Sequence, residues 1–180
     1  MLFNWLTRQG RHQENKKKSS AHRDGQTRPV FNYSWIITGK LAIGPMPRSI
    51  EDWELLEKSG IKKRFSCCYA EEHIFAPLPE GWKSSGVCLP DHRAQEHLTV
   101  DNLVFALKKA INFIDKDNNP VYLHCFAGQE RSALLATGIV SLTENKDLFE
   151  SLAWVRQCYP QARPLYEHLD ILERALLIFN

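Results

Sequence analysis

The chain has 180 residues, 43% of them hydrophobic, which suffices for one globular domain with a substantial core. Its formal net charge of +2 is too small to imply a nucleic-acid partner, and its apolar runs are too short to span a bilayer. The five cysteines, at 67, 68, 88, 125 and 158, form no CxxC pair and are odd in number, which argues against a disulfide framework or zinc site and for a reducing, cytoplasmic setting.

At the N-terminus, Met1 to Trp5 is not followed by the apolar core of a signal peptide. Residues 1–29 include Lys16-Lys17-Lys18-Ser19-Ser20 in a stretch with few large apolar side chains, which predicts a mobile basic tail. A solvated leader is favoured over a weak electrostatic hook for anionic lipid or nucleic acid. Leu2, Phe3, Trp5 and Leu6 offer an apolar face without indicating a partner. The domain proper occupies 30–180.

Tyr33–Ile37 and Lys40–Ile43, separated by Thr38-Gly39, read as a hairpin or two short strands. Ser49-Ile50-Glu51-Asp52 is close to a capping box, and Ile50, Trp53 and Leu56 then follow at helical spacing until Gly60. The next strand should lie within Ile61–Tyr69. Lys62-Lys63-Arg64 is unusually basic for a covered strand, so its first half is expected to protrude, leaving Phe65-Ser66-Cys67-Cys68 central. Trp82–Leu89 reads as a further strand with Gly86-Val87-Cys88-Leu89 as its inner part. Thr99 is expected to cap a helix whose Leu103, Leu107, Ile111 and Ile114 share one face. Val121–Cys125 reads as a buried strand, and helices are expected at about 132–144, 147–158 and 164–178, with Pro160 and Pro164 separating the last two. Alternating strands and helices imply an α/β fold with a central, mostly parallel sheet of four to five strands covered by helices on both faces.

Between strand and helix lies one tight loop, His124-Cys125-Phe126-Ala127-Gly128-Gln129-Glu130-Arg131-Ser132. Backbone N–H groups of such a turn, placed before a helix N-terminus, favour an anion. Arg131 adds a planar fork matched to phosphate oxygens, and the same field favours a thiolate nucleophile at Cys125. Gly128 stands where the chain must turn sharply.

The pattern His124-Cys125-x-x-Gly128-x-x-Arg131-Ser132 resembles the signature loop of the cysteine-dependent protein tyrosine phosphatases, and the chain's size fits the compact, atypical dual-specificity branch. Asn32-Tyr33-Ser34-Trp35-Ile36 with Gly39-Lys40-Leu41-Ala42 is similar to the opening of those small phosphatases, and Val155–Pro160 to the helix end before their final helix. The resemblance covers roughly 31–178 and implies a phosphatase fold. It also implies hydrolysis of phosphoprotein monoesters through a phosphocysteine on Cys125, with phosphate held by the backbone of Phe126, Ala127, Gly128, Gln129, Glu130 and Arg131.

The resemblance places the mobile acid loop at Asp91, 34 positions before the cysteine. Asp91 is therefore the expected general acid, although an Asp there would also cap a turn. Glu96 and Glu130 are rivals, and the Glu130 side chain is expected to leave the loop and bond a neighbour, because a carboxylate facing phosphate would repel it. Ser132 is expected to stabilise the departing thiolate, and His124 to order the loop through hydrogen bonds. No metal or cofactor is called for, since the loop supplies the positive charge. His92 and His97 flank the acid loop and are expected to be simply exposed, and His168 lacks ligand-spaced partners. In some similar phosphatases a cysteine placed like Cys68 traps the oxidised nucleophile as a disulfide, though two small core cysteines are the favoured reading.

Inositol-lipid phosphatases of this type tend to carry lysines within the loop, whereas this one has Phe126, Ala127, Gln129 and Glu130. Protein phosphotyrosine is thus the first expectation for substrate, with phosphoserine or phosphothreonine beside it. Phosphoinositides, RNA 5′-phosphates and a phospho-binding module with little turnover are the alternatives.

Overall fold

The computed structural model describes residues 31–179. The basic stretch, the apolar Leu2, Phe3, Trp5 and Leu6, and the tail expected over 1–29 lie outside the described residues.

Among the described residues, Ser34–Ile37 (β1) and Leu41–Pro45 (β2) form the expected hairpin, closed by a turn in which Lys40 N–H donates to the Ile37 carbonyl at 2.9 Å. Ile50–Lys58 (α1) follows, then Lys63–Ser66 (β3), a single 3-10 turn at Ala70–Glu72, and Lys83–Gly86 (β4). Val100–Asp115 (α2) leads into Val121–Cys125 (β5), and the chain ends in Arg131–Glu144 (α3), Leu148–Cys158 (α4) and Tyr166–Leu176 (α5). The five strands order as β1-β2-β5-β3-β4. All pairings except the β1–β2 hairpin are parallel. The expected α/β sheet is therefore observed with five strands, and β5 runs through its middle.

Side-chain alternation sorts the sheet into two faces. Leu41, Ile43, Phe65, Val121 and Leu123 join the large core made with α2, α3, α4 and α5. Ala42 and Tyr122 face the other way, onto Trp53 and Leu56 of α1 and Trp82. On that smaller face, Trp53 and Trp82 meet edge-on with ring centroids 4.8 Å apart. Among the described residues, helices cover both faces, α1 alone on one side. Its capping box forms as the sequence suggests, but Ile50 is 65% exposed and does not share the buried face of Trp53 and Leu56.

Two strands differ from their sequence expectations. The basic half of the third strand does not protrude: Lys63 is 1% exposed, and its ammonium donates to the Phe113 carbonyl and to Asp117 Oδ1, each at 2.8 Å. Asp117 also accepts from Lys83 at 2.7 Å, so its carboxyl is held well below the usual carboxylate range by the two ammonium groups. A lysine inside a sheet is thus neutralised by a carboxylate that its own strand does not contain. Cys67 and Cys68 lie just beyond β3, still buried. The fourth strand is Lys83–Gly86, an edge strand with exposed Lys83 and Ser84, which suits an unpaired sheet edge. Of the expected inner part 86–89, only Gly86 belongs to the strand, opposite Ser66. Val87 and Leu89 instead bond the carbonyls of Ser66 and Cys67, and Cys88 is exposed.

The parallel register of β2 and β5 ends at Pro45 opposite Cys125, so the β5–α3 loop must turn directly over the end of β2. Gly128 makes this possible. Its φ is +76°, and a Cβ there would stand 2.5 Å from the Gly44 carbonyl carbon and 2.6 Å from Pro45 N.

No helix among the described residues is long and apolar enough to cross a membrane.

Two outcomes are expected in urea denaturation. Gly128→Ala should lose stability by about 1–3 kcal/mol from the backbone conformation alone, and by more from the overlap with Gly44; an unchanged midpoint would contradict this packing. Lys63→Met should keep or raise the midpoint, whereas Asp117→Leu should lower it, because only the second strands a buried ammonium.

Candidate active site

The β5–α3 loop fixes its outward-facing carbonyls. Phe126 O accepts from Met46 N–H at 3.2 Å, Gln129 O from Arg163 N–H at 2.7 Å, and Glu130 O from Leu134 N–H at 2.8 Å. The N–H groups of residues 126–130 have no protein acceptor among the described residues. Cys125 lies at the base of the loop, 2% exposed, and the Ser132 hydroxyl donates to its Sγ at 3.3 Å. A pocket of about 110 Å³ above it is lined by Cys125, Phe126, Ala127, Glu130 and Arg131 of the loop and by Asp91, His92 and Arg93. Cys125, Arg131 and Asp91, singled out from the sequence, therefore line one pocket at the carboxyl end of β5, where parallel α/β folds bind ligands.

Arg131 has 3% of its side chain exposed and directs Nη1 and Nη2 to the two oxygens of Glu72, each at 2.7 Å. The carbonyls of Cys67 and Leu89 each lie 3.4 Å from Nη1, and Asp91 Oδ2 is 3.4 Å from Nη2. Nε is buried without a partner among the described residues. Burial alone would lower the arginine's pKa, but the Glu72 carboxylate outweighs it and keeps the group charged. Burial likewise pushes the Glu72 carboxyl up, and the Arg131 fork and the Tyr69 N–H, at 2.8 Å, bring it below the usual carboxylate value. Sequence reasoning missed Glu72. The segment after β3 could be expected at this end of the sheet, but nothing local distinguishes Glu72 from its neighbour Glu71.

Asp91 does two things at once. It closes a turn, with Oδ1 accepting from Arg93 N–H at 2.9 Å, and it faces the pocket, with Oδ2 2.6 Å from Arg93 Nη2. Burial raises its pKa, and the Arg93 contacts together with Arg131 more than reverse that, leaving it lowered. Glu130 does leave the loop interior: its Oε1 lies 2.7 Å from Nδ1 of His92, so His92 is paired rather than simply exposed. Because His92 adjoins Asp91 and Glu130 adjoins Arg131, this contact clasps the Asp91 loop to the β5–α3 loop. Glu96 does not line that pocket; it accepts from the Tyr69 hydroxyl at 3.2 Å in an adjoining groove of about 500 Å³ that shares Asp91, Arg93 and Arg131 with the pocket.

His124 departs from expectation. It is fully buried, stacked on Tyr122 at 5.8 Å and edge-on to His73 at 6.1 Å, and neither ring nitrogen has a hydrogen-bond partner among the described residues. Burial foremost, then the nearby Arg64 and His73, push its pKa down to about 3, more than the Cys125 backbone offsets. It supports the loop by packing as a neutral ring rather than by hydrogen bonding. Cys68 is a free thiol, pushed up to about 12 chiefly by burial. Among the described residues, no three His, Cys, Asp or Glu side chains are grouped to hold a metal ion.

No family model matches the sequence, and no curated protein matches it. Solved structures do resemble it. The human tyrosine phosphatase-like serine/threonine/tyrosine-interacting protein superposes with a TM-score of 0.69 at 17% identity, covering 82% of this chain and 97% of that one. PTPMT1 in complex with PI(5)P gives 0.68 at 16% identity, covering 81% and 95%. Tk-PTP in its active form gives 0.67 at 21% identity, covering 81% and 96%. The expected resemblance thus holds at the level of architecture, and the chain has the compact fold of the cysteine-dependent protein tyrosine phosphatases.

Proposed function

We propose that this protein is a cysteine-dependent phosphatase that hydrolyses protein phosphotyrosine, and phosphoserine or phosphothreonine where its pocket admits them. The observation that carries the proposal is the meeting of Cys125, Arg131 and Asp91 in one small pocket, with the Ser132 hydroxyl on the cysteine sulfur.

In the first step the Cys125 thiolate attacks phosphorus, forming the S–P bond as the P–O bond to the leaving group breaks, and Asp91 gives its proton to the departing oxygen. The unpaired N–H groups of 126–130 and the Nε edge of Arg131 receive the equatorial oxygens. Because Glu72 occupies both Nη atoms from behind, the guanidinium is aimed before substrate arrives. In the second step Asp91 takes a proton from water, the oxygen attacks phosphorus, and the thiolate leaves toward the Ser132 hydroxyl. His124, neutral and unbonded, transfers no proton.

Protein phosphoesters are favoured by what surrounds the pocket. The loop interior carries no lysine to meet further phosphates, and in the adjoining groove the arginines Arg93 and Arg131 are already paired with Asp91 and Glu72 while Glu71 and Glu96 add further negative charge, which disfavours polyanionic head groups. Phe126 supplies an apolar wall for an aromatic ring.

Hydrolysis of a small aryl phosphate should persist in EDTA, be lost in Cys125→Ser, and fall by about 100- to 10,000-fold in Asp91→Asn; turnover by Cys125→Ser would sink the cysteine mechanism. Arg93 opposes protonation of Asp91, so removing it should let the carboxyl hold its proton to higher pH. In Arg93→Ala the alkaline limb of the kcat/KM profile should therefore move upward. A limb that stays put or moves down would mean that Asp91 is not the acid.

A further inference from the structure

Arg48 takes no part in the proposed chemistry, yet it lies against Phe126, which lines the pocket. It precedes the Ser49 cap of α1, and its backbone N–H donates to Asp52 Oδ2 at 2.7 Å, which fixes where its side chain starts. The guanidinium lies 5.1 Å from the centroid of the Phe75 ring and 5.8 Å from that of Phe126, the residue immediately after Cys125. Those two rings are themselves 5.9 Å apart and form one apolar platform. Arg93 approaches Phe126 as well, at 5.7 Å, so two cations share one ring.

The two arginines differ in one respect. The charge of Arg93 is answered by Asp91 at 2.6 Å, whereas Arg48 is exposed and no carboxylate among the described residues pairs with it. Contacts with two aromatic rings restrain a side chain that would otherwise sample many rotamers in water, so its charge is pre-positioned. Ile74, next to Phe75 in the sequence, is 70% exposed.

We infer that Arg48, seated on the Phe75–Phe126 platform, is a second anion site that receives a carboxylate side chain flanking the phosphorylated residue of a peptide substrate. The inference rests on the phosphotyrosine reading above and adds a sequence preference to it. A carboxylate matches the planar fork of one guanidinium, and the apolar platform accommodates the peptide's neighbouring side chains. Glu71 and Glu96 in the adjoining groove disfavour a ligand that is anionic throughout.

The test compares kcat/KM of the full chain on phosphotyrosine peptides that carry Asp or Glu, their amides, or Lys beside the phosphorylated residue, with an aryl phosphate as reference. Wild type should prefer acidic over amide peptides by about two- to fivefold, the range of an exposed ion pair, and salt should reduce the preference. Arg48→Ala should abolish it and Arg48→Glu should reverse it toward the Lys peptides. Each preference is a ratio within one enzyme, so a general loss of activity cancels. Turnover of aryl phosphate and peptides without preference, or a preference that survives Arg48→Glu, would overturn this site and leave the phosphatase reading standing. Failure to turn over any of them would overturn both. A preference for vesicles bearing a phosphoinositide with a second phosphate, lost in Arg48→Ala, would assign the guanidinium to lipid and overturn the peptide assignment.

Discussion

Arg131 carries its charge into a position with 3% of its side chain exposed, and the Glu72 carboxylate makes that placement stable. Taking an ion out of water costs several kcal/mol unless the partner's geometry is good and the remaining donors are engaged. Glu72 meets both Nη atoms at 2.7 Å, and the Cys67 and Leu89 carbonyls flank the same side. The pairing also sets direction. The fork is left one edge to present, and the turn after β3, rather than the loop containing the arginine, decides where that edge points. Tyr69 N–H in turn holds Glu72, so the aim of the cation is traceable to backbone geometry.

The acidic and basic groups around the pocket form a nearly closed account of charge. Asp91 is shared between Arg93 and Arg131, Glu130 faces His92, and Glu72 faces Arg131. Under the proposed function, an arriving phosphate would add negative charge to this set and compete with Asp91 for the two arginines. Weakening those contacts raises the affinity of Asp91 for a proton, so under the proposed mechanism binding of the ester itself would move the carboxyl toward the protonated form that a general acid requires.

How much of this was legible in the sequence depends on the range over which each signal acts. The capping of α1 by Ser49 and of α2 by Thr99, the apolar face of α2 and the buried run of β5 are written in neighbouring residues, and all of them formed. The phosphate loop was legible for the same reason, since its cysteine, glycine and arginine lie within seven positions. The missed features are pairs across long separations. Lys63 read as too basic for a covered strand because its acceptors, Phe113 O and Asp117, come at the far end of α2. Glu72 and the His92–Glu130 contact were hidden likewise, each joining segments that only the sheet brings together. His124 failed in the other direction: a polar residue in a buried strand invites an expectation of hydrogen bonds, and here ring stacking took their place.

Gly128 turns over the end of β2 so closely that no side chain fits between it and Gly44. The curvature of the phosphate loop is therefore moulded against a strand from the opposite end of the sequence. An anion cradle of this kind is not portable. Grafted onto another strand–loop–helix unit, the same residues would keep the proposed nucleophile and the arginine but lose the surface against which the loop turns. The strand that supplies that surface contributes no reactive group, yet it belongs to the site as a mould belongs to a casting.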